Sequence, residues 1–223
     1  MEHIFNFDIE HRFLPKTSLL LTTSYGITSH YNADATSAAS FNIVDSTPIS
    51  SKIGLLGVIT PKLALRLLLG WAYVIYDSGT NFNSFVSNIE FTYSFSKKTS
   101  FVLGFENSFK DVLFSNYLGY YNLYIKNDIS LTNSFSLGFN IDAILNSYTG
   151  ISLGNSVTSP SERTDINLEL SGLLSYNYKE RYKTELKYTM TKVITDFTTE
   201  YEGVTTNYDY LQHKVAINFF IFF

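Results

Sequence analysis

Several features are missing from this sequence, and each absence excludes a class of protein. None of the 223 residues is cysteine, so disulfide bonds and cysteine-based metal or redox sites are excluded. No stretch reaches about 18 uninterrupted apolar residues, so no transmembrane helix is predicted. The nearest stretch, residues 63–76, is too short and contains Arg66. The beginning of the chain also lacks the basic and apolar segments of a signal peptide.

The charged residues give no sign of a nucleic-acid partner. Sixteen basic and 20 acidic residues leave a net charge of -4. The basic residues are scattered, whereas a nucleic-acid interface needs a basic patch or stripe. We therefore predict that the protein binds no nucleic acid.

Aromatic residues are abundant, and they fall into a regular pattern. There are 19 Phe and 17 Tyr, and both types favour β-strands. Apolar and polar residues alternate in eleven segments of about ten residues, the length of a tilted transmembrane strand. The segments are 3–13, 17–28, 50–60, 62–76, 84–95, 99–109, 116–129, 134–145, 165–178, 181–195 and 208–223. This period of two predicts an all-β protein.

The alternation separates charged side chains from apolar ones. A Lys or Arg that faces lipid at mid-membrane costs about 2–4 kcal/mol, and the middles of the apolar tracks carry no charge. Lys192, near the end of its segment, is the only charged residue that shares the parity of an apolar track. The charged residues of the opposite tracks are Asp8, Glu10, Arg12, Lys52, Arg66, Glu90, Glu106, Lys126, Asp128, Asp142, Glu169, Lys183, Glu185, Lys187 and Lys214. The segregation predicts a wall with one side facing hydrocarbon.

Short connections alternate with long ones. The short set is 14–18, 60–62, 96–100, 130–134 and 178–183, and the long set is about 29–49, 77–83, 110–115, 146–164 and 196–207. Outer-membrane barrels have short periplasmic turns and longer extracellular loops. The sequence therefore predicts one domain over residues 1–223, an antiparallel transmembrane β-barrel of about 11–12 strands. The alternative is a soluble fold with the apolar tracks inside. So many large side chains would overfill a soluble barrel, and a sandwich would need shorter strands and more Gly and Pro turns.

The end of the chain resembles the C-terminal signature of bacterial outer-membrane β-barrels. The final aromatic residue, Phe223, follows apolar residues at alternate positions: Val215, Ile217, Phe219 and Ile221. The resemblance implies a location in the bacterial outer membrane, surrounded by membrane lipid and lipopolysaccharide. It also implies that these residues form the signal that the barrel-assembly machinery recognises.

Residues 195–223 also resemble the last hairpin of porin-like barrels associated with exopolysaccharide export, in which tyrosines such as Tyr208 and Tyr210 lead into the terminal strand. This resemblance implies a porin-like channel or export conduit for small solutes or saccharides. The residues that we expect to line its lumen are Arg66, Glu90, Glu106, Lys126, Asp142, Glu169 and Lys187. The alternative is a structural or assembly barrel subunit of a larger cell-envelope complex.

Enzymatic residues are not apparent. Lipid hydrolases among outer-membrane barrels place a serine two residues after a histidine on one strand, and none of the four histidines is followed in this way. No metal-ligand cluster stands out. We predict no catalytic activity, no metal and no cofactor.

The strand count raises a question about closure. Single-chain bacterial barrels have an even number of strands, whereas eleven segments would leave the first and last strands running in the same direction. We expect either that the chain is the C-terminal part of a larger barrel, or that another envelope protein supplies a strand beside residues 3–13. The remaining alternatives are a parallel closure and a strand that the pattern does not reveal.

One part of the expected lumen face is apolar. Around residues 52–76 this face has Lys52 and Arg66 as its only charged residues. It carries Gly54, Leu56, Val58, Ala64, Leu68 and Ala72, which we expect to contact an inner plug, a bound lipid-like substrate or a partner protein. The alternative is ordinary packing against neighbouring loops. Small residues such as Gly54 would let another backbone approach closely.

Overall fold

The structure is a computed structural model that describes residues 1–29, 45–77, 79–112, 115–149, 162–179, 181–201 and 204–221. The strands are β1 (Glu2–Leu14), β2 (Thr17–Thr28), β3 (Ser46–Thr60), β4 (Leu63–Tyr76), β5 (Phe82–Ser96), β6 (Thr99–Val112), β7 (Ser115–Ser130), β8 (Phe135–Thr149), β9 (Glu162–Tyr178), β10 (Tyr182–Thr195), β11 (Thr198–Tyr201), β12 (Val204–Asn207) and β13 (Tyr210–Ile221). The described residues include no helix long and apolar enough to cross a membrane.

Eleven long strands form a single antiparallel sheet. The order is β1 to β10 followed by β13, and each strand pairs with its neighbours along the chain. β11 and β12 form a separate hairpin. The predicted all-β architecture and the predicted count of eleven strands are confirmed. The prediction of a loop over 196–207 was wrong in one respect, because this connection contains the short hairpin.

Register assigns every long strand two faces of opposite character, because residues paired across an antiparallel ladder project to the same side. We call the face that carries Phe139, Leu168 and Ile217 the apolar face, and the face that carries Asp142 and Glu169 the polar face. All fifteen charged residues of the predicted charged tracks lie on the polar face.

Burial follows the two faces in the reverse of the usual sense. Phe139, Leu168 and Ile217 are 50%, 47% and 59% exposed, whereas Asp142 is 9% exposed. Glu169 is half-buried. A soluble sheet buries its apolar face. Here the polar face is the sheltered one, and the apolar face is open.

The sheet is curled, with the polar face on the inside. At the end that carries the long loops, Ser46 on β3 and Tyr76 on β4 both donate hydrogen bonds of 2.6 Å to the carboxylate of Asp111 on β6. In a flat sheet β3 and β6 would be about 14 Å apart, since neighbouring strands are spaced by about 4.8 Å. The register of β5 with β6 ends at Ser87 and Asn107, and Asp111 has the parity of Phe105 on the apolar face. The loop end of β6 therefore twists and folds over the polar face of β3 and β4.

A small apolar cluster lies inside this curl. Its buried members are Ala72, Val74, Tyr76, Phe82 and Val86, from β4 and β5. Phe109 and Tyr117, from the next two strands, pack against it, and the Phe82 ring centroid lies 4.8 and 5.0 Å from theirs. The cluster joins the polar face of β4 and β5 to the loop end of β6 and β7.

The sheet is open. Among the described residues, β1 pairs only with β2, and β13 pairs only with β10. Because the meander has eleven strands, β1 and β13 run in the same direction. Within the described ranges the predicted closed barrel is therefore not formed, and the two edge strands are exposed on both faces.

Rows of residues that are paired from strand to strand run obliquely over the sheet. One row begins on β1 at Arg12, near the end of that strand, and finishes on β13 at Gln212, near the beginning of that strand. Its members are Arg12, Ser18, Leu56, Arg66, Glu90, Gly104, Tyr124, Asp142, Glu169, Thr191 and Gln212. The strands are thus staggered in one direction, as the tilted strands of barrels are.

Candidate functional site

The polar face gathers the residues that the sequence assigned to a lumen. Arg66 and Glu90 are paired directly across β4 and β5, and Asp142 and Glu169 across β8 and β9. Glu106, Lys126 and Lys187 lie on the same face in other rows. The face therefore combines opposite charges at one pair with two neighbouring carboxylates at another.

Tyr124 connects three strands of this face. Its hydroxyl donates a hydrogen bond of 2.8 Å to Oε2 of Glu90, two strands away. The ring reaches Glu90 by lying over Gly104, which belongs to the intervening strand, and any Cβ at that position would overlap the ring. The Lys126 ammonium lies 4.3 Å from the ring centroid, which is cation–π distance.

Asp142 is held by two amides. Asn122 Nδ2 donates to Oδ1 of Asp142 at 3.2 Å, and Asn140 Nδ2 donates to Oδ2. Glu169 lies directly opposite in the register, and like charges at that position repel. The two amide donors offset part of this repulsion through charge-assisted hydrogen bonds.

Several asparagines on the polar face carry buried Oδ1 atoms. Within the described ranges, no protein donor reaches Oδ1 of Asn88, Asn122, Asn140, Asn146 or Asn167. Buried polar atoms that lack protein partners are normally satisfied by water. The interior beside β5 to β9 is therefore a polar environment rather than a packed apolar core.

A cavity of about 610 Å³ opens at the end of the curl that carries the short turns. Lys62, Lys97 and Lys98 lie at its rim, and Ser94, Ser100 and Asp128 continue it along the polar face. Three lysines and one carboxylate, Asp128, are therefore among the charged groups of this mouth.

The apolar part of the polar face divides into two. Ala72 is a buried member of the cluster around Phe82, and Leu68 is also buried within the sheet. Leu56 and Val58 are exposed, and Gly54 and Ala64 are half-buried. The close backbone approach expected at Gly54 is made by the neighbouring strand of the same chain, because a Cβ there would overlap the carbonyl of Leu67.

At the loop end, an arginine joins the sheet to the hairpin of β11 and β12. Arg163 donates two hydrogen bonds of 2.7 Å to the carboxylate of Asp165. Its guanidinium carbon also lies 5.2 Å from the ring centroids of Tyr148 and Phe197. Phe197, directly before the hairpin, is buried.

The last strand presents its alternate apolar residues on the apolar face. Val215, Ile217, Phe219 and Ile221 are all exposed there. Phe223, the final residue of the expected assembly signal, lies outside the described residues.

Sequence reasoning missed two contributors, Tyr124 and Gly104. Tyr124 shares the parity of Lys126 and Asp128, so the sequence could have placed it on the polar face, but its contact with Glu90 depends on the register of three strands.

Comparison with protein-family models, with curated proteins and with solved structures finds no match. In the part of the chain that the structure describes, no group of three His, Cys, Asp or Glu residues could hold a metal ion.

Proposed function

We propose that the chain forms the wall of an outer-membrane β-barrel, with its apolar face in lipid. The distribution of burial carries this proposal. A fully exposed Phe, Leu or Ile side chain forgoes about 1.5–3 kcal/mol of burial free energy, and the apolar face exposes such residues on every long strand. The chain has 14507 Å² of accessible surface, against roughly 10,300 Å² for a soluble monomer of its 25.4 kDa mass. In a membrane, hydrocarbon would cover the exposed side chains of the apolar face.

The function that the polar face supports best is a porin-like passage for small polar solutes, saccharides included. Charged residues, unpaired amide oxygens and tyrosine rings line one sheltered side of the sheet. Such a side suits water and hydroxylated solutes better than a packed core. Single-channel conductance in planar bilayers tests this proposal. A recording without current steps at every voltage would contradict it.

A second candidate is a structural or assembly subunit of a larger envelope complex. The two unpaired edges of the sheet favour it. Size analysis in mild detergent distinguishes this candidate, because it predicts a complex larger than the 25.4 kDa chain.

The terminal strand also supports a role in assembly. Its exposed residues, from Val215 to Ile221, are arranged as in the signature that assembly machinery recognises in outer-membrane barrels. Replacement of Phe219 and Phe223 by Ser should lower the amount of folded protein in the membrane and leave its synthesis unchanged.

A further inference from the structure

The inference from the two open edges of the sheet rests on the proposed membrane function. In hydrocarbon, each unsatisfied backbone N–H or C=O costs several kcal/mol. The Ser29 N–H donates to the Met1 carbonyl at 2.8 Å, and hydrogen-bonded pairs alternate along an antiparallel ladder. In the register of β1 with β2, the N–H and C=O groups of Ile4, Asn6, Asp8 and Glu10 therefore point away from β2, towards the free edge.

The directions of the edge strands limit what can cover them. A second copy in the same membrane orientation would present strands parallel to both edges, because β1 and β13 run in the same direction. An added antiparallel segment can pair antiparallel with both edges only if its first and last strands run opposite to β1 and β13. Such a segment has an odd number of strands. One such strand brings the total to twelve, and even totals are the rule in bacterial barrels. The described residues contain no unused strand of this length, since β11 and β12 have four residues each.

The charges of β1 indicate the chemistry of the missing strand. Asp8 and Glu10 lie next to each other on the polar face, and β2 places Thr22 and Leu20 opposite them. Neither carboxylate has an ion pair in the described structure. Both are exposed, whereas Asp142 on an interior strand is buried.

We propose that one antiparallel β-strand of a separate polypeptide closes the gap between β1 and β13, with basic side chains facing Asp8 and Glu10. Its other face is apolar and continues the lipid-facing surface. The strand completes both ladders and places basic side chains beside Asp8 and Glu10.

Cysteine pairs test whether the gap exists in the membrane, because the chain has no cysteine of its own. Asp8→Cys is combined in turn with Gln212→Cys, Lys214→Cys and Ala216→Cys. A disulfide needs Cα atoms about 4.4–6.8 Å apart, whereas one intervening strand separates the edges by about 10 Å. We expect no disulfide in these pairs. The control pair Thr189→Cys with Lys214→Cys, which are directly paired, should form one.

Photo-crosslinking tests the occupant in membranes of the producing organism. A benzoylphenylalanine at Ile4 on β1, or at Gln212 on β13, should give adducts with one and the same second polypeptide. The same probe at Thr22 on β2 is the interior control and should give none. Asn6→Pro removes an N–H from the free edge and should lower the adduct yield, whereas Asn6→Ala should not.

The charge prediction is tested with the double variant Asp8→Lys and Glu10→Lys, which should lower the yield at least about tenfold, because opposed like charges cost more than 1.4 kcal/mol. A difference in gel migration between heated and unheated samples checks that each variant is folded. A β1–β13 disulfide, adducts between copies of this chain only, no adduct, or an adduct insensitive to these variants would overturn the inference. Each of these results leaves the proposed lipid-facing wall and its conductance open to their own tests.

Discussion

The phenolic oxygen of Tyr124 lies 2.8 Å from Oε2 of Glu90, although a whole strand separates their backbones. Gly104, on that strand, makes room for the ring. Gly104→Ala should therefore displace the ring and lower the free energy of unfolding by about 1–3 kcal/mol, the usual cost of overpacking. Urea titration of the protein folded in detergent or bilayers would measure it.

The control for this substitution is Gly172→Ala. Nothing lies within 4 Å of a Cβ built at Gly172, so we expect no loss of stability there. Equal losses at the two positions would show that the cost does not come from the Tyr124 ring.

The hydroxyl of Tyr124 should contribute separately. Tyr124→Phe removes a hydrogen bond to a carboxylate, and such bonds contribute about 1.5–3 kcal/mol. Tyr121→Phe, on the exposed apolar face, should change the unfolding free energy by less than about 0.5 kcal/mol. A double-mutant cycle with Glu90→Gln isolates the pair, and a coupling energy near zero would contradict the contact.

Two adjacent residues of β9 distinguish a membrane wall from a soluble sheet. Leu170 is exposed on the apolar face, and Ser171 lies on the polar face. If the apolar face lies in lipid, Leu170→Lys should cost about 2–4 kcal/mol of folding free energy in bilayers, and Ser171→Lys should cost much less. In a water-exposed sheet Leu170→Lys would be nearly neutral, and that result would refute lipid contact.

The acidic pair should influence ion selectivity if the polar face lines a passage. Asp142→Asn together with Glu169→Gln removes two negative charges from neighbouring strands. The reversal potential under a salt gradient should then shift towards anions. Lys192→Gln, on the apolar face, should leave it unchanged. An unaltered potential in the double variant would remove these residues from the conducting path.

Arg163 should hold the hairpin of β11 and β12 against the sheet. Arg163→Met abolishes both hydrogen bonds to Asp165 and the contact with Phe197. A loss of about 1 kcal/mol raises the population of the open form about fivefold, and cleavage tracks that population. A glutamate-specific protease should then cut faster at Glu200 on β11. Arg181→Met, in a short turn at the opposite end, should not change that rate.

The sequence predicted the strands well because their signal is local. Period-two alternation marked all eleven strands, and one of the two largest boundary shifts, at the start of β3, has a physical cause. β3 begins at Ser46 rather than at residue 50, and it includes Pro48, which lacks an N–H and normally argues against an interior strand. The structure accommodates its ring beside Gly26, where a Cβ would come within 2.7 Å of the proline Cγ.

Contacts between strands were harder to predict. The alternation places Glu90, Gly104 and Tyr124 on one face, but only the register aligns them in one row. The hairpin over 198–207 was missed because its strands have four residues each and no apolar alternation. The direction of the curl and the burial of Ala72 depend on side chains from four strands, which no single segment encodes.

The oblique course of the paired rows has a consequence for anything that moves along the polar face. Arg12 stands near the short turns, whereas Gln212, in the same row, stands near the long loops. In a barrel with this stagger, a helical path around the lumen would connect Arg66, Glu90, Asp142 and Glu169. A travelling ion would then meet them singly at successive depths, instead of passing one encircling belt of charge.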